Sequence, residues 1–238
     1  MDLHVGVGAR LLLVGIPDTA SALLLRVLAG LSRRKAGKIE IAGTRQPEAS
    51  PSGWGRRVAY VGPNAMPFPW MSGAEALKLS GRLLRFGRSD AKLRIEAAVD
   101  RWRLGSELRR PMRRLGPAYV ERVAMACALL GDPEVLLLDE PLRALESSER
   151  IGLLRLPGQR RTVIIASRYP ASEEGAVNQV ALLREGRLAL HVPVSALTNR
   201  GLPLSHRGIA ALADTLGGPT RKREPSRDVA PDSHRATA

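Results

Sequence analysis

The stretch Glu121–Glu146, ERVAMACALLGDPEVLLLDEPLRALE, decides how this chain folds. Its first part is rich in alanine and leucine and reads as a helix, stopped by Gly131-Asp132-Pro133. The run Val135–Leu138 that follows has no polar alternation, so it belongs to a strand covered on both faces. That strand runs into Asp139-Glu140-Pro141. Carboxylates at the carboxyl end of a buried parallel strand lie where open α/β sheets place their ligands.

Working outward, the same grammar repeats. RLLLVG, Arg10–Gly15, is a short apolar run ending in glycine, and SALLLRVLAGL, Ser21–Leu31, has its leucines and valine at helical spacing before Gly30. GKIEIAGTR, Gly37–Arg45, alternates like a surface strand and turns at Ala42-Gly43, while RRVAYVG, Arg56–Gly62, reads as the next buried strand. The proline-rich PNAMPFPW opens a helical region from about Ser72 to Leu115. RRTVIIAS, Arg160–Ser167, is another apolar strand, and VALLREGRLAL, Val180–Leu190, is a hairpin turning at Glu185-Gly186. Alternating strands and helices of this kind predict an α/β fold, a mainly parallel sheet with helices on both faces. From residue 217 to 238 almost nothing is apolar, which predicts a disordered basic tail.

At 238 residues and 44% apolar content, the chain can bury one large core, or a core with a subdomain. No run approaches the roughly 18 to 20 apolar residues of a membrane span. The start, MDLHVGVGARLLLVGI, carries Asp2 where a signal peptide would be positive, so a cytoplasmic location is expected. Cys127 is the only cysteine, which excludes an internal disulfide and predicts a packed thiol. The formal charge is +14, and residues 78–114 hold 12 Lys/Arg against 4 Asp/Glu. Such a field suits nucleic acid, an anionic lipid surface, or simply a solvated arginine-rich face. Only Phe86 and Trp102 are interleaved with these charges, so stacking on single strands is poorly supported and nucleic acid is disfavoured.

In order and register these pieces resemble the ATP-binding cassette (ABC) ATPase domain over roughly residues 3–197. Glu121–Glu146 resembles that family's signature helix, Walker B strand and D-loop, and LRVLAGL, GKIEIAGTR and LLREGRLAL match family segments at their expected places. The resemblance implies a P-loop NTPase-like core over 1–216, with an N-terminal β segment and a helical subdomain inserted at about 72–120. It also implies ATP and magnesium as cofactors. The implied partners are a membrane permease subunit, an active ABC ATPase subunit, or both, at the inner face of the cell membrane.

Several positions depart from that pattern. A phosphate loop, G-x-x-x-x-G-K-[ST], curls backbone amides around phosphate, neutralises it with lysine and ligates magnesium through a hydroxyl. Here Gly15 is kept, but Ala20 replaces the second glycine, Ser21 the lysine and Ala22 the hydroxyl. Pro17 has no N–H, and Asp18 brings negative charge to the place of the triphosphate. The residue-level alternative is that Asp18 or Thr19 caps the following helix. The 14 residues before Gly15 contain no Phe, Tyr or Trp to serve as the family's adenine platform. Pro63 stands at the position of the γ-phosphate-sensing glutamine, and Met66, Phe68, Trp70 and Met71 follow in a loop that borders the family's permease-docking groove. LGPAY, Leu115–Tyr119, stands for LSGGQ, with Gly116 in place of the serine and Pro117 removing an amide. Arg168 stands for the switch histidine, and Glu146 for the D-loop aspartate.

Asp139 for magnesium and Glu140 for the attacking water are what remains of the implied catalytic set. Without phosphate these two acids would pair with local arginines such as Arg168. The expected function is therefore an ABC-type subunit whose ATP binding is weak or absent, a pseudo-ATPase acting as scaffold or regulator. A weakly active transporter ATPase and a basic module for nucleic acid or anionic lipid are the alternatives.

Overall fold

The computed structural model describes residues 1–41, 43–46, 53–63, 68–155 and 160–217. Ala42, Met66 and the tail expected beyond Gly217 lie outside the described residues. The chain begins its regular structure with strand β1 (Arg10–Ile16), helix α1 (Thr19–Leu28) and a ribbon of two-residue strands, β2 (Glu40–Ile41) and β3 (Thr44–Arg45). The N-terminal β segment amounts to that antiparallel ribbon. A one-turn helix α2 (Trp54–Arg57) occupies part of what reads as strand in the sequence, leaving β4 at Val58–Val61.

Next come α3 (Gly73–Leu83), α4 (Arg88–Arg101), two 3₁₀ turns at Gly105–Glu107 and Met112–Arg114, and α5 (Pro117–Leu129). The order continues with β5 (Val135–Asp139), α6 (Ser147–Leu154), β6 (Thr162–Ala166) and a 3₁₀ turn at Pro170–Glu173. β7 (Gln179–Arg184), β8 (Arg187–Pro193), α7 (Ser195–Thr198) and α8 (His206–Thr215) complete it. Among the described residues no helix is long and apolar enough to cross a membrane.

The main sheet has the order β4-β5-β6-β1-β7-β8, with β8 antiparallel to β7 and the other neighbours parallel. The β7–β8 turn is Glu185-Gly186, both with positive φ (51° and 73°), the backbone of a two-residue hairpin turn. Period-two alternation assigns each strand residue to a face. Leu136 and Leu138 of β5, with Val163 and Ile165 of β6, pack against α3 and α5. Val135 and Leu137, with Ile164 and Leu11 and Leu13 of β1, pack on Leu25 of α1 and on Trp54. Leu12 and Val14 of β1 face α7 and α8 through Leu197, Ile209 and Leu212. Leu11, Leu12 and Leu13 are wholly buried, each side chain contributing about 1.5–3 kcal/mol, so β1 is pinned in the middle of the sheet.

The C-terminal end of α1 is closed by Gly30 at φ +80°, with Leu31 N–H donating to Arg26 O and Gly30 N–H to Val27 O. Gln46 Nε2 and Trp54 Nε1 donate to the carbonyls of Val27 (2.9 Å) and Leu28 (3.1 Å). These bonds satisfy the orphan acceptors of the helix end. α1 is thereby fixed in place, and with it the loop at its start.

Candidate functional site

Only Pro17 and Asp18 separate β1 from α1. Asp18 occupies the cap position with helical dihedrals (φ −55°, ψ −31°) and makes no side-chain cap bond, which corrects the expectation that it or Thr19 caps the helix. A capping side chain needs an extended backbone to reach the following amides, and this turn does not supply one. Thr19 is simply the first helical residue.

The loop instead bonds to itself. Ala20 N–H donates to Pro17 O (3.0 Å), and the Ser21 hydroxyl, on a buried side chain, donates to Asp18 O (2.8 Å). Gly15 lies so close beneath this turn that a Cβ there would come within 2.8 Å of both Pro17 O and Ser21 N. From a distant part of the chain, His206 at the start of α8 brings Nε2 to 3.5 Å from Asp18 Oδ1. Position 21 carries no lysine but a serine whose hydroxyl is bonded to Asp18 O, position 22 is an alanine without a hydroxyl, and the nearby carboxylate is that of Asp18. This donor set does not fit a magnesium triphosphate.

Asp139 and Glu140 end β5 in different surroundings. Asp139 is 7% exposed and accepts a hydrogen bond from Tyr60 Oη at 3.1 Å. Burial pushes its carboxyl above the ordinary aspartate range, with the Tyr60 bond acting in the opposite sense. The same contact, with burial as the larger cause, raises the Tyr60 phenol to about 12. Tyr60 carries no motif that marks it in the sequence. Its signal is positional: β4 and β5 are parallel neighbours, with Tyr60 opposite Leu137.

A carboxylate with a raised pKa carries an ionisation penalty in the folded state. That penalty is absent below the unfolded pKa and grows as pH rises through the folded one. Asp139→Asn is therefore expected to melt higher relative to wild type at pH 8 than at pH 4, measured by thermal denaturation at both pH values. A residue whose charge held the fold together would show the reverse.

Glu140 has φ +53°, an uncommon conformation for a side-chain-bearing residue, and its amide donates to Ala166 O (3.0 Å) on β6. One carboxylate oxygen accepts from Arg168 N–H (2.6 Å) and lies 3.3 Å from Arg168 Nε. The other accepts from Arg143 Nε at 2.6 Å. Arg143 is in turn 3.6 Å from Glu173, which is wholly buried and paired with Arg150 at 2.8 Å. The Arg143 guanidinium also lies over the Tyr169 ring, 5.1 Å from its centroid. Glu140 thus belongs to a chain of alternating charges, Arg168–Glu140–Arg143–Glu173–Arg150. Arg168 pairs with Glu140, as a local acid–arginine contact requires; the direct hydrogen bond to Asp139 comes from Tyr60.

The remaining motif positions gather around a cleft of about 450 Å³ between β4 and α5. Pro63 and Glu140 line it, as do Leu115 and Pro117 on either side of Gly116. Gly116 is the extended residue before α5, and Pro117 is the first residue of that helix, where a missing N–H costs nothing. The Gly15–Ala22 loop is not part of this lining. Phe68 and Trp70 are exposed, at 41% and 64%, with ring centroids 5.2 Å apart.

The parallel sheet, the strand-end carboxylates and the β1–α1 turn define a P-loop-type α/β architecture, and comparison with known proteins names its family. The ABC transporter family model matches residues 1–143, and the chain belongs to that family. It is 30% identical, over 92% of its own length and 81% of the relative's, to the aliphatic sulfonates import ATP-binding protein SsuB 1 of Rhizobium johnstonii. It is 34% identical to the sn-glycerol-3-phosphate import ATP-binding protein UgpC of Paraburkholderia xenovorans, over 67% of this chain and 43% of that longer protein. Among solved structures, the ATP-binding subunit of an ABC transporter superposes with a TM-score of 0.75 at 20% identity, covering 90% of each chain. That likeness concerns the fold.

Proposed function

We propose that this chain is an ABC transporter subunit that keeps the architecture of an ATP-binding cassette without its nucleotide chemistry. It serves as scaffold or regulator on a membrane permease, on an active ABC ATPase, or on both, at the cytoplasmic face of the membrane. The observation that carries this reading is the β1–α1 turn, in which the Ala20 amide and the Ser21 hydroxyl are bonded within the turn and whose charge is that of Asp18.

Glu140 supports the same reading. A carboxylate that activates water needs a lone pair facing the reacting centre, and both oxygens of Glu140 are engaged by arginines. Gly116 and Pro117 remove hydroxyl and amide from the segment that would complete a partner's site, so neither composite site of a dimer is well served. The import proteins among its relatives favour a permease as the membrane partner.

The second reading, a weakly active ATPase, is favoured by the intact Val135–Glu140 strand end. Coexpression with an ABC ATPase partner distinguishes the two. The purified complex is expected to show no ATP hydrolysis that depends on this chain's Glu140. Brisk turnover abolished by Glu140→Gln in this chain would overturn the proposal.

A further inference from the structure

The cleft of about 450 Å³ between β4 and α5 falls within the range of about 300–1,000 Å³ that small-molecule sites occupy. Val61, Val120, Ala124, Met125 and Leu142 line it with buried, apolar side chains. Among the described residues of its lining, only Glu121 and Glu140 carry polar side chains. Pro63, Pro117 and Pro141 also line it, and none of them has an N–H to give. The first turn of α5 adds little, since the Tyr119 and Val120 amides donate to Gly116 O (3.1 and 3.3 Å). The space therefore offers acceptors and almost no donors, which disfavours an anion and suits a guest that donates.

The two carboxylates are not equivalent. Both oxygens of Glu140 are taken by Arg143 and Arg168. Glu121 accepts from Ala144 N–H (3.0 Å), and among the described residues no ion pair engages it. Burial, the largest cause, pushes its carboxyl above the ordinary glutamate range, while the amides of Ala144 and Arg143 and the more distant charges of Arg143 and Arg150 act in the opposite sense. Glu121 is thus a carboxylate partly withdrawn from water with no cation in contact.

We propose that this cleft binds a compact hydrophobic amine, whose apolar body fills the space between Val120, Ala124, Met125 and Leu142 while its ammonium group donates to Glu121. A neutral apolar molecule is the competing guest. The carboxylate in the wall favours the charged one, because a cation there recovers part of what desolvation of Glu121 costs. Phe68 and Trp70 are not among the lining residues, and nothing in the site requires ATP to bind or to be excluded.

The chain carries its own reporter. In NMR spectra of the protein labelled at its methionine methyl groups, the signal of Met125, which lines the cleft, follows its filling, and that of Met112, buried but outside the lining, follows the fold. The probes are tryptamine, skatole and indolepropionate, which share one ring system and carry a positive, no and a negative charge. Tryptamine is expected to shift the Met125 methyl saturably, binding at least about tenfold more tightly than indolepropionate. Glu121→Gln, which keeps the shape of the side chain and an oxygen for Ala144 N–H, should lower tryptamine to the level of skatole. Ala124→Leu, which puts a larger side chain into the cleft, should abolish binding of both.

Equal binding of tryptamine and indolepropionate, or a tryptamine affinity unchanged by Glu121→Gln, would overturn the proposal. Skatole binding as tightly as tryptamine would replace the amine with a neutral guest and overturn it too. So would the absence of any Met125 shift with all three probes at concentrations up to about 1 mM. Should Ala124→Leu lose the Met112 signal of the folded chain, Glu121→Gln decides alone, because it changes almost no volume. Each outcome is read on this chain by itself and leaves its nucleotide chemistry to the experiments on ATP.

Discussion

Titration of the purified chain with Mg-ATP is expected to give no saturable heat at nucleotide concentrations up to about 1 mM, a level corresponding to only about 4 kcal/mol of binding. Micromolar affinity amounts to about 8 kcal/mol in total, and each charged or hydrogen-bonded contact is worth roughly 1.5–3 kcal/mol. On the proposed reading, Ser21, Ala22 and Pro63 take the positions of the lysine, the magnesium hydroxyl and the glutamine, and Asp18 opposes phosphate with like charge. The amide of Ala20, which a cradle would turn toward phosphate, is engaged by Pro17 O. Regaining it would require opening the turn that Gly15 packs against. Saturable binding tighter than about 100 μM, or about 5 kcal/mol, would contradict this account of the loop.

The second large effect concerns stability. Glu173→Ala is expected to destabilise the chain by about 3–5 kcal/mol, because it strands the Arg150 guanidinium in the interior. For a chain of this size that is a fall in Tm of about 10 °C. Glu173 is wholly buried, its Oε1 lies 2.8 Å from Arg150 Nη1, and Arg150 also donates to Ser172 O. The other oxygen, Oε2, has no hydrogen-bond partner among the described residues, so the pair is well matched on one side only. The double variant Arg150→Met/Glu173→Leu, which removes both charges, should therefore recover most of the loss. If chemical denaturation shows the double variant as unstable as Glu173→Ala, the cost comes from packing and not from a stranded charge.

Much of the fold is legible in the sequence because its strands need no context to be recognised. Val135–Leu138 and Val163–Ile165 are apolar without interruption, and the Glu185-Gly186 turn dictates the hairpin around it. The family's segments fall in register for the same reason. What could not be read is what long-range contact decides. His206 reaches Asp18 only because α8 folds back over β1 and β7, and Arg143 reaches Glu173 only because the chain returns beside it after β6.

The helix cap is absent for a local reason that composition conceals. Asp18 is a good capping residue by type, but the two-residue connection between β1 and α1 gives it helical dihedrals, and its side chain makes no bond to the amides it would serve. Asp139 and Glu140 are neighbours in sequence and feel each other and Arg168 electrostatically, yet their hydrogen bonds differ: Asp139 accepts from a tyrosine on the adjacent strand, Glu140 from a pair of arginines. Spacing assigns both to one site, and which partner each carboxylate bonds is decided by neighbouring strands and loops that spacing does not reveal.

Gly15 is the one glycine of the phosphate-loop pattern that this chain retains. With carbonyl and amide both 2.8 Å from where a methyl would stand, any side chain there must push the first turn of α1 off the sheet. A saturation screen that scored only protein abundance would mark position 15 as intolerant. Such an outcome would report steric fit between a strand end and a helix, whatever the loop does or does not bind.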